Sequence, residues 1–241
     1  MRILSIGNSF SEDAQTYLSK IAELSGVKIT SFNMMIGGCS LARHYRNMLT
    51  GEKAYTLQIN GESTGISINL EDVLLAGYWD AITFQQVSSS SPSYESFQPY
   101  LSELVAYARR YAPKSRIYLH ETWAYEQGSP RLPNIGYEDQ ADMYRDIHKT
   151  YLQAAADVKA DGIIPSGAAF QHLFKHGAKI HHDGSHASHG IGHVTLGATW
   201  LTYFAKIDPR GLDWSALKTR VPVSAEDYAL AQEAAWVACQ S

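Results

Sequence analysis

The stretch Arg2-Ile3-Leu4-Ser5-Ile6-Gly7-Asn8-Ser9-Phe10-Ser11 opens the chain with a short apolar run that stops at a glycine. Residues 2 to 6 read as a strand, because the run is brief, apolar and bounded by Gly7. From Glu12 and Asp13 onward, Ala14, Tyr17, Leu18, Ile21, Ala22 and Leu24 recur at helical spacing behind an acidic first turn. The spacing predicts a strand, a tight turn and a helix, with Ser9 in the turn at the carboxyl edge of a sheet. Free N–H groups and the helix dipole at such a place favour developing negative charge. That setting suits a nucleophile, although Ser9 and Ser11 also read simply as turn and capping residues.

Further along, the same alternation repeats. Val27 to Ile36 reads as a second strand running into Gly37-Gly38-Cys39-Ser40, and Leu41 to Leu49 as a helix. Residues 54–69 read as a hairpin turning at Gly61, an excursion from the main layer. Asp80 to Phe84, Ser115 to Glu121 and Asp161 to Pro165 read as three more strands, separated by helical segments at 94–111 and 137–159. Helices at 167–175, about 190–205 and 224–239 close the chain. About five strands alternating with helices predict an α/β fold, a parallel sheet covered on both faces. With no linker and no internal repeat, residues 1–241 read as one domain.

Composition narrows the classes of function. The apolar fraction of 45% and charged fraction of 18% are those of an ordinary globular protein, with no run long enough to span a bilayer. A net charge of -4 argues against binding a phosphate backbone, so nucleic acid is not an expected partner, and without a spanning run neither is a membrane. Cys39 and Cys239 are too few for a disulfide scaffold. The first strand begins at residue 2, leaving no room for an apolar leader, so a cytoplasmic or already processed protein is expected.

A serine hydroxyl needs a base and a group that orients the base. Asp183-Gly184-Ser185-His186 supplies both at a spacing that lets the carboxylate hold one imidazole nitrogen while the other faces Ser9. Candidate oxyanion donors are the Ser9 N–H, the Gly38 N–H after the second strand, and the side-chain amide of Gln85 after the third. Trp123 and Tyr125, with Tyr94 and Phe97, could form an aromatic wall against a sugar ring, or belong to the core. Two other readings compete: a metal site in the tract His181, His182, Asp183, His186, His189 and His193, and a non-catalytic carbohydrate-binding module.

Taken together, Gly7-Asn8-Ser9-Phe10-Ser11, Gly38, an amide residue after the third strand and Asp183-x-x-His186 resemble the four sequence blocks of the SGNH/GDSL hydrolase superfamily. The strings Trp79 to Ser88 and His120 to Tyr125 resemble a less characterised bacterial branch of it. The resemblance implies a flavodoxin-like three-layer α/β/α fold and hydrolysis of small acyl esters, acetyl foremost and on a carbohydrate or similar small molecule, through a serine acyl-enzyme with no metal or other cofactor. It assigns Ser9 as nucleophile, His186 as base, Asp183 as its orienter, and Gly38 with the Ser9 backbone as oxyanion donors. Two departures stand out: Asn8 where the family usually has aspartate, and Gln85-Gln86 in place of its G-x-N-D block. A glutamine there resembles sialate and carbohydrate O-acetylesterases and leaves open whether Gln85 or Gln86 points inward.

Overall fold

Each expected parallel strand forms, and alternate residues of these strands face different helix layers. The computed structural model describes residues 1–240. In chain order the elements are β1 (Arg2–Ile6), α1 (Ser9–Gln15), α2 (Leu18–Leu24), β2 (Thr30–Met35), α3 (Leu41–Thr50), β3 (Tyr55–Ile59), β4 (Glu62–Ile68), α4 (Leu70–Leu75) and β5 (Ala81–Phe84). They continue as α5 (Tyr100–Tyr111), β6 (Arg116–His120), α6 (Arg131–Asn134), α7 (Gln140–Val158), β7 (Gly162–Ile164), α8 (Ser166–Lys175), α9 (Ile191–Ala205) and α10 (Ala225–Gln240).

The sheet order is β4-β3-β2-β1-β5-β6-β7, and β2, β1, β5, β6 and β7 run parallel. Without the hairpin this is the flavodoxin-like doubly wound order, which opens a crevice at the carboxyl ends of β1 and β5, where the winding reverses. Seven strands are present rather than five. The hairpin is not an excursion: β3 pairs antiparallel with β2, setting Phe32 opposite Ile59 and Met35 opposite Thr56, and β4 closes the edge. The bare N–H and C=O groups of β2 thereby find partners, and the exposed Glu62, Ser63 and Ser67 keep the new edge polar.

Leu4, Ile6, Ile82, Phe84, Ile117 and Leu119 face one core with α3, α4, α5 and α7. Ile3, Ala81 and Tyr118 face the other, with α1, α2, α8, α9 and α10. Beneath α1 that second face turns polar. Gln15 Nε2 and Thr83 Oγ1 both donate to Ser5 Oγ, at 2.7 and 2.8 Å, and Gln58 Nε2 reaches Glu12 Oε1 at 3.0 Å. Buried polar groups hold one geometry where apolar contacts could slide, so this seam fixes the helix that begins at Ser9.

Candidate active site

Ser9 is the first residue of α1, and Asn8 is its N-cap. The Asn8 side chain does three things: its Oδ1 accepts from Phe10 N at 3.0 Å and from Gln85 Nε2 at 2.7 Å, while its Nδ2 donates to Cys39 O at 3.1 Å. An aspartate could make the first two bonds but not the third, which gives the Asn8 departure a physical reason. Gly7 is required by packing, since a Cβ there would overlap the Ser11 side chain. Gly38 sits at φ +59, in the left-handed region that favours glycine.

The second half of the site is a loop closed on itself. Asp183 Oδ1 accepts from Ser185 N at 2.9 Å, Ser185 Oγ at 3.0 Å and His186 N at 2.8 Å, and Oδ2 accepts from His186 Nδ1 at 2.7 Å. Burial alone would raise the Asp183 pKa, but these hydrogen bonds outweigh it and hold the carboxyl well below the usual carboxylate range. The other imidazole nitrogen, His186 Nε2, lies 2.9 Å from Ser9 Oγ. Serine, histidine and aspartate thus form a continuous hydrogen-bonded line across 177 residues of sequence. Phe10 packs edge-on against the His186 ring, with centroids 5.6 Å apart.

Among the described residues, neither the Ser9 nor the Gly38 N–H donates to another group of the chain, and both residues line the cleft above the triad. Gln85 departs from its expected place. It is 2% exposed, Nε2 is held by Asn8, and Oε1 accepts from Ser11 Oγ and from His120 Nδ1, the latter at 2.9 Å. Its amide therefore braces the turn from behind rather than facing the oxyanion. Gln86 does not face it either: Oε1 accepts from Leu41 N at 3.0 Å and Val87 N at 2.9 Å, and Nε2 donates to Ser96 O at 2.8 Å.

The cleft has a volume of about 310 Å³ and is lined by Asn8, Ser9, Phe10, Gly38, Val87, Ser88, Ser89, Tyr125, Arg131, Ser185 and His186. Larger surface clefts of about 520 Å³ beside Lys28 and about 590 Å³ beside Tyr17 contain no histidine among their lining residues, so neither offers a serine with its base. Tyr125 lines the triad cleft, and its hydroxyl lies 3.0 Å from Ser88 Oγ. Of the aromatics expected there, Trp123, Tyr94 and Phe97 do not. Trp123 is 0% exposed, stacked on Phe10 at 4.1 Å with its Nε1 donating to Ser185 O at 2.8 Å, which makes it a support of the loop. Phe97 is buried against Tyr151, and the Tyr94 hydroxyl bonds Asp157 away from the cleft.

The histidine tract is dispersed by the fold. His181 Nε2 bonds Ala124 O at 3.0 Å, and His193 Nε2 bonds Asp13 Oδ1 at 3.2 Å. Among the described residues, only His182, Asp183 and His186 bring three ligand-capable atoms within 4.8 Å of one another. Both ring nitrogens of His186 already face Asp183 and Ser9, so a cation on this trio would compete with the triad.

The sequence model of a family described as a domain of unknown function, DUF4886, matches residues 2–238. The chain belongs to the DUF4886 family. Among solved structures, a DUF4886 family protein from Bacteroides uniformis is 32% identical, with a TM-score of 0.91 over 100% of this chain and 95% of that one. A protein of Slackia heliotrinireducens assigned to the SGNH hydrolases is 24% identical, with a TM-score of 0.53 over 78% of this chain and 90% of the other. A catalytic mutant of an acetylxylan esterase from Geobacillus stearothermophilus is 14% identical, with a TM-score of 0.54 over 83% and 92% of the two chains. These likenesses show the SGNH hydrolase fold. No curated protein matches the chain. No helix among the described residues is long and apolar enough to cross a membrane.

Three residues of this DUF4886 protein that hold the site were not singled out from the sequence. His120 Nε2 accepts from Ser166 Oγ at 2.9 Å, so a buried line runs from the first residue of α8 through His120, Gln85 and Asn8 to the Gly38 loop. Burial pushes the His120 pKa down to about 3, which keeps the ring neutral and able to accept. Asp13 is the third, and its Oδ2 accepts from Ala187 N at 2.9 Å. Its position on the Ser9 face of α1, four residues on, was the available signal.

Proposed function

We propose that this protein is a serine hydrolase that removes small acyl groups, acetyl foremost, from a carbohydrate or similar small molecule. The observation that carries this reading is the line Asp183 Oδ2, His186, Ser9 Oγ, with spacings of 2.7 and 2.9 Å, beside a cleft that Ser9 and His186 line. His186 Nε2 takes the Ser9 proton as Oγ attacks the ester carbonyl carbon. The carbonyl oxygen gains the electron pair beside the Ser9 and Gly38 N–H groups. As the intermediate collapses, the ester C–O bond breaks and His186 returns the proton to the leaving oxygen. Water then repeats the sequence on the acyl-enzyme, releasing the acid and restoring Ser9. Asp183 keeps the Nδ1–H in place throughout and stabilises the imidazolium.

The cleft volume of about 310 Å³ suits a small acyl group on one or two sugar rings better than a long chain. Ser88, Ser89 and Tyr125 line it with hydroxyl-bearing side chains. The test is turnover of acetylated xylooligosaccharides and of an aryl acetate, with and without a chelator. Ser9→Ala and His186→Ala are each expected to lower kcat by roughly 10⁴ or more, and the chelator to leave it unchanged. Near-normal turnover by either variant, or loss on chelation, would overturn the reading.

A further inference from the structure

We infer that Arg131 makes the cleft selective for esters that carry a negative charge, a carboxylate or a phosphate; this rests on reading the cleft as an ester-hydrolysing site. The residues lining it bring hydroxyls, an amide, aromatic rings and His186, but no carboxylate. Arg131 is the fixed cation among them. The chain as a whole carries a net charge of -4, so this cation is not part of a generally basic surface.

Arg131 is also poorly matched within the protein. It lies on the single turn α6, where its backbone N–H donates to Ser129 Oγ at 3.3 Å, and its Nε reaches Asp183 O at 3.4 Å. The Asp183 carboxylate lies 3.8 Å from Nη2, beyond hydrogen-bond length, and four shorter bonds from Ser185 and His186 already occupy it. Among the described residues, neither terminal guanidinium nitrogen makes a hydrogen bond, and the side chain is 46% exposed. Beyond this long ion pair with Asp183, a planar fork whose terminal N–H groups make no hydrogen bond lines the same cleft as Ser9, and it matches the two oxygens of a carboxylate or phosphate. Neutral hydroxyls would be served by the serines and tyrosine alone. The rival role for Arg131 is to steady Asp183, and that role would affect every ester equally.

The experiment compares three acetyl esters on one hexose ring: the neutral sugar, its uronic acid and its phosphate. Wild-type protein is expected to favour a charged ester in kcat/KM, and Arg131→Gln to reduce that preference about 10- to 100-fold, as loss of a hydrogen bond to a charged group does. Arg131→Lys should restore part of it, and comparing uronate with phosphate identifies which anion is preferred. Equal loss on all three esters, or no preference in the wild type, overturns the inference. Calorimetric binding of the same esters to Ser9→Ala, with and without Arg131→Gln, separates this from the hydrolase reading. Absent turnover with an Arg131-dependent preference in binding would refute hydrolysis alone, whereas equal or absent binding would refute the role of Arg131.

Discussion

Asp13 Oδ2 accepts the backbone N–H of Ala187 at 2.9 Å, so the helix that begins at Ser9 also grips the loop one residue beyond His186. Nucleophile and base are registered by this one carboxylate. Asp13→Ala should let the loop drift and lower kcat by about 10- to 100-fold, the usual consequence of a displacement near 1 Å. KM should change little, and Asp13→Asn, which still offers an oxygen to Ala187 N, should recover much of the loss. Steady-state kinetics on the three proteins checks this, and an unchanged kcat in Asp13→Ala would contradict it.

Asn8 joins the nucleophile turn to the oxyanion loop through its bond to Cys39 O at 3.1 Å. Asn8→Asp restores the residue usual in the resembled superfamily, yet here it would set a carboxylate oxygen against a carbonyl. The variant should be destabilised by about 1–3 kcal/mol, the cost of leaving a buried partner unmade, and should turn over acetyl esters more slowly. Thermal melting and kinetics check both parts, and activity at the wild-type level would count against the role given to Asn8.

Trp123 and Tyr125 lie two residues apart but should respond differently. Trp123 is fully buried on Phe10, so Trp123→Ala should cost about 3–5 kcal/mol, as truncation of a core aromatic does. Tyr125 lines the cleft and its hydroxyl meets Ser88 Oγ there, so Tyr125→Phe should raise KM with little effect on Tm. Measuring Tm and KM for each variant distinguishes support from contact; a Trp123→Ala protein that melts normally but binds poorly would reverse the assignment.

Much of this was legible in the residues because it is local. The parallel strands announce themselves as short apolar runs, and Asp183-x-x-His186 closes through bonds within four residues. The pairing of β3 with β2 was not legible, because whether a hairpin joins a sheet edge depends on contacts far along the chain. The direction of Gln85 was equally hidden: an amide at a strand end can face the cleft or the interior, and only His120, Ser11 and Asn8 together decide it. Trp123 shows the same limit, since an aromatic at the end of a strand looks alike whether it covers a substrate or a core.

The fold should weaken in acid. His44 and His120 are buried and neutral, with pKa values pushed down to about 3 by burial, and His181 is pushed down to about 4 by the same cause. The unfolded chain binds these protons at its ordinary histidine pKa, so the stabilisation from keeping each ring neutral is complete above about 6.5 and is lost as pH falls toward the folded values. Each histidine contributes a slope of up to about 1.4 kcal/mol per pH unit in that window. Tm should therefore fall steadily between pH 6.5 and 4.5; a flat profile would contradict the burial of these rings as neutral species.

The most direct test of the central claim is covalent labelling. The folded protein is incubated with a fluorophosphonate, its intact mass is recorded, and the modified peptide is mapped. The account predicts a single adduct on Ser9, abolished in Ser9→Ala and strongly slowed in His186→Ala, because only a serine whose proton His186 Nε2 can take at 2.9 Å is activated. Folded protein that gains no adduct, or gains it at a residue other than Ser9, would contradict the account.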